Sequence, residues 1–590
     1  MSSLAWDACY DFVVVGSGGG SMCAALVAKD AGKKVLILEK QDKVGGSTGF
    51  SGGVWWIPNN PLMARENVPD SYERARTYLD AAVPYQGPAT SPARREAFLR
   101  SGPDMVSFLE KKGMKFKRAE GYSDYYDDLP GGEPRSRSLI AELFDINELG
   151  EWKERLSTYP GAPFNIGNDE LPVLLLMKRT WKGKAMALRV GLRLLKMKLT
   201  GQDLRGTGTA MAGRMLQLIL RNGIPIWTGS PAAELVVDGN RVVGVVAMRG
   251  DKRVRIQARD GVLIGSGGFA RNAEMRRKYG RTPASANWTL ANPGDTGEMI
   301  QAAMGLGAEV DCMDTAVWGM TSLGPGETFP EGAHDLDGKP LAFHHHFDIS
   351  FPHAIFVDQD GQRFCNEAGS YMEIGERMYD RQQKTGKAIP GWAIIESRHR
   401  QRYLWGSVMG KSPQSWFDSG YMIRADSIGD LARQCQIDPA QLRTSLDRFN
   451  CFAKSGVDHD FHRGGRHFDR FHGDPTVKPN PNLGAIEKPP FFAVRIYPGD
   501  VGTYGGLVTD EHARVLREDG SVIEGLYATG NSAASVTGRS YIGAGASIGP
   551  TFVFGYRAAI HACQTARHGS RDNKPGHADT AGRTMSQAAG

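Results

Sequence analysis

A cluster of glycines near the N-terminus is followed by a single well-placed acid. Residues 16–20 read GSGGG, and Glu39 stands 23 residues beyond the first of these glycines. Glycines allow the tight turn and close backbone approach that a bound pyrophosphate needs, and a carboxylate at this distance accepts hydrogen bonds from an adenosine ribose. Ser21 stands where the usual spacing has a third glycine, so the dinucleotide site is predicted from the whole context.

The elements around this cluster have the order strand, turn, helix, strand. Residues 10–15 and 35–38 are short apolar runs typical of buried parallel strands, and residues 21–31 have a helical pattern. The glycines therefore precede a helix N-terminus, whose free N–H groups bind phosphate. Glu39 favours a ribose without a 2′-phosphate, but this unit does not separate NAD from FAD.

Further glycine clusters occur at both ends of the chain. Residues 45–53 follow the second strand, residues 261–268 join a strand to another glycine turn, residues 525–531 form a third strand and turn, and residues 543–550 open an apolar helical stretch. Glycine accounts for 74 of 590 residues, well above the usual ~7%. One cofactor contacted from both ends favours the larger flavin nucleotide and predicts a domain built from two separate segments.

The composition is that of a globular, multidomain protein. Hydrophobic residues make up 41% and charged residues 23% of the chain. The first residues show neither a basic n-region nor an apolar h-region, so no secretory signal is expected. The seven cysteines are scattered and never in CxxC spacing. We therefore expect reduced thiols in the cytoplasm and no metal centre.

One segment carries the positive charge. Residues 171–202 contain eight basic and no acidic residues, which leaves the rest of the chain at −2, so no nucleic-acid partner is expected. A helical apolar stripe runs through this segment: Trp181, Ala185, Leu188, Leu192, Leu195 and Leu199. The pattern predicts peripheral contact with the inner face of the cell membrane. The alternatives are that the stripe packs on the protein's own core or that it meets another subunit.

Five motifs together resemble one flavoprotein superfamily. They are DFVVVGSGGGS, EKQDKVGGSTGFSGG, LIGSGGF, GGLVTDEHARVLREDGSVIEGLYATGN and SYIGAGASIGPTFVFGYRAA. The set is similar to the FAD-dependent fumarate reductase/3-ketosteroid dehydrogenase superfamily, and within it to the 3-ketosteroid Δ1-dehydrogenases. The likeness spans about residues 8–565, apart from an extra region around 140–205 that resembles what membrane-associated members carry.

Two departures refine this resemblance. Fumarate reductases carry a histidine where this chain has Tyr504, and covalent-flavin relatives carry one near the segment at 46–49, which has none. The resemblance therefore implies noncovalent FAD. The expected FAD contacts are Gly16, Gly18, Gly19, Gly20, Ser21, Glu39, Lys40, Gly45, Gly46, Ser47, Thr48, Ser51, Gly52, Gly53, Gly267, Asp295, Gly530, Asn531, Ser547 and Ile548.

The resemblance also implies an aromatic active site. The segment GYSDYY supplies Tyr122 as a wall of the substrate pocket and Tyr125 as a catalytic neighbour. NEAGSY supplies Tyr371 as the base, and SYIGAG supplies Tyr541 and Gly545 as the pair that holds the ketone. The reaction so implied removes hydrogen from C1 and C2 of a 3-ketosteroid.

In that reaction, the Tyr541 hydroxyl and the Gly545 N–H would stabilise charge on the C3 oxygen and so acidify the C2 hydrogen. Tyr371 would take the C2 proton. A free tyrosine has a pKa near ~10, so a hydrogen bond from Tyr125 is expected to assist. The C1 hydride would pass to N5 of FAD.

Three further features of the sequence are the loop around residues 542–544, the histidines at 344–346 and Asp295. The family has prolines where Ile542 and Ala544 stand, which predicts a softer loop. Histidines 344–346 fall on an apparent strand, where neighbours alternate faces, so they are not expected to bind one metal ion. Asp295 precedes a helical stretch and either contacts the cofactor or caps the helix.

The predicted fold is α/β: a discontinuous Rossmann-like FAD-binding domain with an inserted α+β catalytic cap. The FAD-binding domain comprises residues 1–315, including the basic insert around 140–205, and residues 495–570. The cap comprises residues 316–494, and residues 571–590 are predicted to be a disordered tail.

The peripheral membrane contact predicted for residues 171–202 favours a steroid that keeps its alkyl chain, such as cholest-4-en-3-one. Electrons are expected to leave to an external quinone or dye. Two alternatives stay open. One is another reaction on this scaffold, either Δ4-(5α)-dehydrogenation or enoate reduction. The other is a membrane-docked protein that binds flavin and sterol without turnover.

Overall fold

The computed structural model describes residues 5–159, 165–324, 342–406 and 408–569, so the tail predicted at 571–590 lies outside them. The strands are β1 Ala8–Val15, β2 Val35–Leu38, β3 Val54–Trp56, β4 Phe116–Arg118, β5 Ser138–Ala141, β6 Phe144–Asp145, β7 Leu204–Arg205, β8 Ile226–Trp227, β9 Ala232–Asp238, β10 Arg241–Arg249, β11 Lys252–Ile264, β12 Val310–Asp311, β13 Ala316–Ser322, β14 Phe343–His344, β15 Ala354–Val357, β16 Gly391–Glu396, β17 Leu404–Trp405, β18 Val408–Met409, β19 Met422–Ala425, β20 Phe491–Thr503, β21 Gly506–Leu507, β22 Arg514–Leu516 and β23 Val522–Ala528.

The α-helices are α1 Gly19–Asp30, α2 Gly46–Phe50, α3 Pro61–Arg65, α4 Tyr72–Ala82, α5 Pro92–Lys112, α6 Leu171–Leu175, α7 Trp181–Thr200, α8 Thr207–Arg221, α9 Ala273–Tyr279, α10 Glu298–Met304, α11 Tyr371–Thr385, α12 Ser397–Arg402, α13 Gln414–Asp418, α14 Ile428–Gln434, α15 Pro439–Ser455, α16 His467–Phe471 and α17 Ile548–Gly569. Short 3-10 helices cover Pro88–Thr90, Ile146–Arg155 and Gly530–Ser532.

An eight-stranded sheet joins the two ends of the chain. Its order is β22-β23-β10-β11-β1-β2-β8, with β9 beside β10. Strand β1 pairs in parallel with β2 and β11, and the apolar side chains of this centre are buried, as expected for parallel strands covered on both faces. The strand–turn–helix–strand unit predicted for the N-terminal segment is present as β1, α1 and β2.

Helices α1 and α17 pack closely beside this sheet. A Cβ on Gly555 of α17 would lie 2.3 Å from the carbonyl oxygen of Gly20 in α1. Only glycine at this crossing allows the two backbones to touch. Since α1 starts at the glycine cluster and α17 follows the loop of Tyr541, this contact brings the two predicted parts of the site together.

A second, largely antiparallel sheet belongs to the middle of the chain. Its order is β14-β13-β20-β16-β15, and β19 also pairs with β20. Strand β20 is 13 residues long, so the domain boundary predicted at 494/495 falls inside a continuous strand. A third sheet, of order β3-β5-β4, lies against the loop of residues 541–547.

The basic segment forms α6 and α7, and its apolar stripe points outward. The exposed fraction is 83% for Trp181, 65% for Leu188, 58% for Leu192 and 77% for Leu199. The opposite face packs on α6, where a Cβ on Gly183 would meet the Leu176 carbonyl oxygen at 2.5 Å. The alternative in which this stripe packs on the protein's own core is therefore wrong. Of the helices described, none is long and apolar enough to cross a membrane.

Candidate active site

A cavity of about 660 Å³ lies between the main sheet and the cap. It opens beside Gly16, Glu39 and Gly265, which directly follow β1, β2 and β11, at the edge where parallel sheets bind ligands. The predicted site residues that line it are Gly16, Gly18, Gly20, Ser21, Glu39, Lys40, Gly46, Ser47, Thr48, Ser51, Gly52, Tyr122, Tyr125, Gly267, Asp295, Tyr371, Gly530, Asn531, Tyr541, Gly545, Ser547 and Ile548.

Three predicted contacts do not line the cavity. A Cβ on Gly19 would lie 2.3 Å from the Phe552 ring, and one on Gly53 would lie 2.3 Å from the Thr207 backbone. Gly45 has a φ of 117°, which a side chain rarely adopts. These glycines serve close packing and turn formation around the site, and glycine spacing alone does not distinguish that role from ligand contact.

The N-terminus of α1 is open toward the cavity. Its N-cap, Gly18, has no side chain to cover the helix end, the first turn contains no acidic residue, and the Gly19 N–H donates to Thr48 Oγ1 at 2.9 Å. A Cβ on Gly46 would meet no atom within 4 Å, and one on Gly18 none nearer than 3.8 Å. Free space bordered by glycine backbone at a helix N-terminus fits a pyrophosphate. The residues present therefore fit FAD.

Glu39 is held at the end of β2. Its Oε2 accepts hydrogen bonds from the Ser17 N–H at 3.0 Å and the Ser17 hydroxyl at 2.6 Å, and its Oε1 accepts from the Gln41 N–H at 2.9 Å. Burial raises the pKa of the Glu39 carboxyl, and these hydrogen bonds oppose the rise. The carboxylate has acceptor capacity left, so the predicted bonds to ribose hydroxyls stay a prediction that its position allows.

The structure excludes one of the two roles predicted for Asp295. Helix α10 begins at Glu298 with Gly297 as its N-cap, so Asp295 does not cap it. Instead, Asp295 accepts a hydrogen bond from the Ser47 hydroxyl at 2.8 Å, and burial raises its pKa to about 7. Lys40, which also lines the cavity, forms an ion pair with Glu298 at 2.9 Å.

Three tyrosines converge on the cavity from distant parts of the chain. The ring centroids of Tyr371 and Tyr541 are 5.1 Å apart, and Tyr125 lies 5.7 Å from each of them. Tyr371 is the first residue of α11, and Tyr541 lies in the loop before α17, where its hydroxyl is 3.2 Å from that of Ser547. Tyr122 forms a wall, with its hydroxyl donated to the Asn168 carbonyl at 3.0 Å.

Burial keeps two of these tyrosines protonated. It raises the pKa of both Tyr125 and Tyr371 well above 10. Contacts with Tyr125 and Tyr541 raise the pKa of Tyr371 further, whereas the sequence predicted that Tyr125 would help Tyr371 ionise. Tyr125 is thus a hydrogen-bond partner of Tyr371 that does not lower its pKa.

The loop that carries Tyr541 and Gly545 is held by its carbonyl groups. The Ile542 oxygen accepts from the Tyr78 hydroxyl at 2.5 Å and from the Tyr125 N–H at 3.0 Å. Four more carbonyl oxygens of the loop accept hydrogen bonds. Tyr541 accepts from the Ser370 hydroxyl at 3.5 Å, and Ala544 accepts from the Ser138 hydroxyl at 2.8 Å. Gly545 accepts from the Trp56 N–H at 3.2 Å, and Ala546 accepts from the Tyr504 hydroxyl at 3.2 Å. The structure does not support the softer loop predicted here: hydrogen bonds hold it where the family has prolines.

The cap contributes histidines that motif analysis missed. His346 lines the cavity and meets Tyr371 edge-on, with 4.8 Å between ring centroids, and His472 lies 5.1 Å from His346. Burial lowers the pKa of His346 well below 6.5 and that of His472 to about 4, so both rings are neutral. Within the described ranges, no group of three His, Cys, Asp or Glu side chains is placed to hold a metal ion. In the sequence, the run of four aromatic rings at residues 344–347 could have indicated that this segment lines the site.

Comparisons with known proteins agree with this geometry. The FAD binding domain family matches residues 11–548, which makes the chain an FAD-binding flavoprotein. It is 39% identical over 576 residues to a 3-oxosteroid 1-dehydrogenase of Mycobacterium tuberculosis, covering 94% of this chain and 99% of the relative. A homologue with the same description from Mycolicibacterium smegmatis is also 39% identical, covering 94% and 98%.

A solved structure gives the same result. The 3-ketosteroid Δ1-dehydrogenase of Sterolibacterium denitrificans, in complex with 1,4-androstadiene-3,17-dione, superimposes with a TM-score of 0.88 at 36% identity. The alignment covers 94% of this chain and 100% of that one. The chain therefore belongs to the family of FAD-dependent 3-ketosteroid Δ1-dehydrogenases.

Proposed function

We propose that this protein introduces a double bond between C1 and C2 of 3-ketosteroids. The observation that carries the proposal is the convergence of Tyr125, Tyr371 and Tyr541 with the Gly545 backbone on the cavity that fits FAD. Bound FAD would supply the acceptor for the hydride that leaves C1. Gly16, Gly18, Glu39 and Gly46 are among the residues that would hold it.

The protein's own groups act on the ketone and on the C2 proton. The Tyr541 hydroxyl and the Gly545 N–H donate to the C3 oxygen and stabilise the negative charge that develops there. Tyr371 takes the proton from C2 while its own hydroxyl proton passes to Tyr125, and a proton of Tyr125 is relayed to solvent, so the transfer is balanced. This relay is needed because burial keeps Tyr371 protonated at rest.

The cavity wall favours an apolar steroid over a dicarboxylate. Leu171 and Leu175 of α6 line it together with Phe347 and Leu404 of the cap. No arginine is among the lining residues in the part of the chain that the structure describes, although two carboxylates would call for such partners. The wall fits a steroid with or without an alkyl chain. The proposed substrate is one that keeps this chain, such as cholest-4-en-3-one, because the outward stripe of α7 suits a membrane, and an external quinone or dye takes up the electrons.

Helix α7 is proposed to dock on the anionic inner surface of the cell membrane. Its outward stripe is apolar, and five cations flank it: Lys182, Lys184, Arg189, Lys196 and Lys198. All five are exposed, and none forms an ion pair with the described residues. Exposed leucines beside unpaired cations match the acyl boundary and phosphates of anionic lipid. Because α6 lines the cavity, docking would bring the substrate site close to the membrane.

Replacement of the base tests the proposed reaction. Tyr371→Phe should lower kcat by about 100-fold or more, because it removes the proton acceptor, and should leave steroid affinity nearly unchanged. Turnover would be measured with a dye acceptor, and steroid binding by the perturbation of flavin absorbance. A fully active Tyr371→Phe enzyme would show that another group takes the proton.

Tyr379→Phe is the matched control. Tyr379 is a buried tyrosine on the same helix, and its hydroxyl donates to the Pro283 carbonyl at 3.1 Å, outside the cavity lining. This variant should turn over like the wild type. Steroid binding without any turnover by the wild-type protein would support the alternative of a non-catalytic sterol-binding flavoprotein.

A further inference from the structure

The N–H of Gly545 and the carbonyl of Ala544 belong to one trans peptide unit. In such a planar unit the N–H and the C=O point in opposite directions. A group that holds the Ala544 carbonyl therefore also sets the direction of the Gly545 N–H. Within the described ranges this N–H donates to no protein acceptor, and Gly545 lines the cavity, so the donor is available to a ligand.

The group that holds the Ala544 carbonyl is the hydroxyl of Ser138, at 2.8 Å. Ser138 is 1% exposed and is the first residue of β5. It pairs with Trp56 of β3, and its own N–H donates to the Ser136 hydroxyl at 3.1 Å. The hydroxyl is thus attached to a regular sheet, and it lies on the side of the peptide opposite to the Gly545 N–H.

The peptide needs such a support because Gly545, although the Trp56 N–H holds its carbonyl at 3.2 Å, has no side chain to restrict rotation of the peptide that precedes it. Its φ is 91°, and the absence of a side chain allows other values at little cost. A side chain cannot restrict it, since a Cβ would lie 2.3 Å from the Val54 carbonyl oxygen. A rotation of the 544–545 peptide would turn the N–H away from the cavity and replace the donor with a carbonyl dipole of the wrong sign for an oxyanion.

We infer that Ser138 is a positioning residue for the oxyanion site: its hydroxyl fixes the 544–545 peptide so that the Gly545 N–H points at the C3 oxygen. The inference rests on the proposed function, because it takes the C3 oxygen as the partner of that N–H. Ser138 itself does not line the cavity, so it acts only through the peptide.

The test uses the FAD-loaded enzyme and the steroid equilenin, whose A ring is a phenol. The phenol oxygen takes the place of the C3 oxygen, and absorbance reports how much of the bound phenol is ionised. In the wild type the two donors should lower the pKa of the bound phenol below its value in water. Ser138→Ala should raise that pKa by about one unit or more relative to the wild type and lower kcat by about tenfold or more, with KM nearly unchanged.

Ser397→Ala is the matched control. The Ser397 hydroxyl is also buried and donates to a distant carbonyl, that of Lys488 at 3.0 Å, but Ser397 lies in the cap outside the cavity lining. It should leave both the phenol pKa and kcat as in the wild type. A merely structural loss would lower the unfolding temperature of both variants and leave the bound phenol pKa unchanged.

The outcomes separate the two claims. If the wild type lowers the pKa of the bound phenol and Ser138→Ala lowers it equally, the role of Ser138 is wrong and the oxyanion site stands. If the wild type binds equilenin without any change in its pKa, the oxyanion site itself is wrong, and the role of Ser138 falls with it.

Discussion

Several histidines of this protein are buried and have lowered pKa values. His472 is 2% exposed, and its Nδ1 is 3.0 Å from the Phe468 carbonyl oxygen. Burial lowers the pKa of His472 to about 4, that of His344 to about 4 and that of His399 to about 3. The ordinary histidine pKa is near ~6.5, so the unfolded chain binds these protons first as the pH falls.

The sign of the effect on stability follows from this difference. Because of these histidines, the unfolded state binds more protons than the folded state between pH 6.5 and about pH 4, and their contribution to the free energy of unfolding decreases as the pH falls. The buried carboxyls of Asp295, Asp124 and Asp469, whose pKa values are raised to about 7, 6 and 6, act in the opposite direction. Each such histidine contributes up to about 1.4 kcal/mol per pH unit in this range. The prediction is a loss of stability through these histidines below pH 6.5, partly offset by the buried carboxyls and measured by urea denaturation at a series of pH values.

His472→Asn tests one residue of this set. The Asn amide can still donate toward the Phe468 carbonyl but does not titrate, so the pH slope should become shallower by about one proton. The slope is the readout because a packing defect lowers stability at every pH alike. His459→Asn, at an exposed histidine, should keep the wild-type slope. An unchanged slope in His472→Asn would contradict neutral burial of this ring.

Helix α7 shows how an element can be stable and still expose its apolar face. Its N-cap, Thr180, accepts a hydrogen bond from the Gly183 N–H at 2.9 Å, and the helix ends at Gly201 in a left-handed conformation. Arg193 anchors it to Glu170 through an ion pair at 2.6 Å. The helix is thus fixed by its caps and by its inner face, which leaves the leucine stripe free for a partner.

Vesicle binding tests the docking of α7. The wild type should co-sediment with vesicles that contain anionic phosphatidylglycerol, bind pure phosphatidylcholine weakly, and be released by salt, which screens the cationic flank. The double variant Leu188→Glu/Leu192→Glu should lose this binding. Its turnover of a steroid delivered in cyclodextrin should be unchanged, because the stripe does not line the cavity.

Val457→Glu is the control for this experiment, since Val457 is an exposed apolar residue, 49% exposed, outside the helix. It should bind vesicles like the wild type. Equal vesicle binding by the double variant would contradict docking through α7. If the wild-type protein does not bind vesicles but dimerises through the leucine stripe, a second copy of the chain, and not a membrane, covers this stripe.

At the scale of the molecule, the local motifs were predictable and the long-range supports were not. The unit β1–α1–β2 and the position of Glu39 follow from spacing within about 30 residues, which encodes a strand–helix–strand contact directly. The hydrogen bond from Ser138 to Ala544 joins residues 406 apart, and nothing in either local sequence indicates it. The approach of His346 to Tyr371 likewise depends on how the cap folds over the main sheet.

Packing also explains why some of the predicted FAD contacts do not line the cavity. Gly19 and Gly53 stand in the same glycine-rich segments as true lining residues, but their Cα atoms face a neighbouring ring or backbone instead of the cavity. Sequence indicates that a glycine is needed in both cases, and only the packing shows why. The aromatic trio was predictable because each tyrosine lies in its own recognisable motif.

Anaerobic reduction of the flavin by a steroid is the direct test of whether this protein desaturates 3-ketosteroids. The purified holoenzyme would be mixed without oxygen with cholest-4-en-3-one and, separately, with androst-4-ene-3,17-dione, and the flavin absorbance would be followed. We expect both steroids to bleach the flavin, cholest-4-en-3-one faster, and to yield a 1,4-dien-3-one product. Bound flavin that neither steroid bleaches would contradict the proposed desaturation.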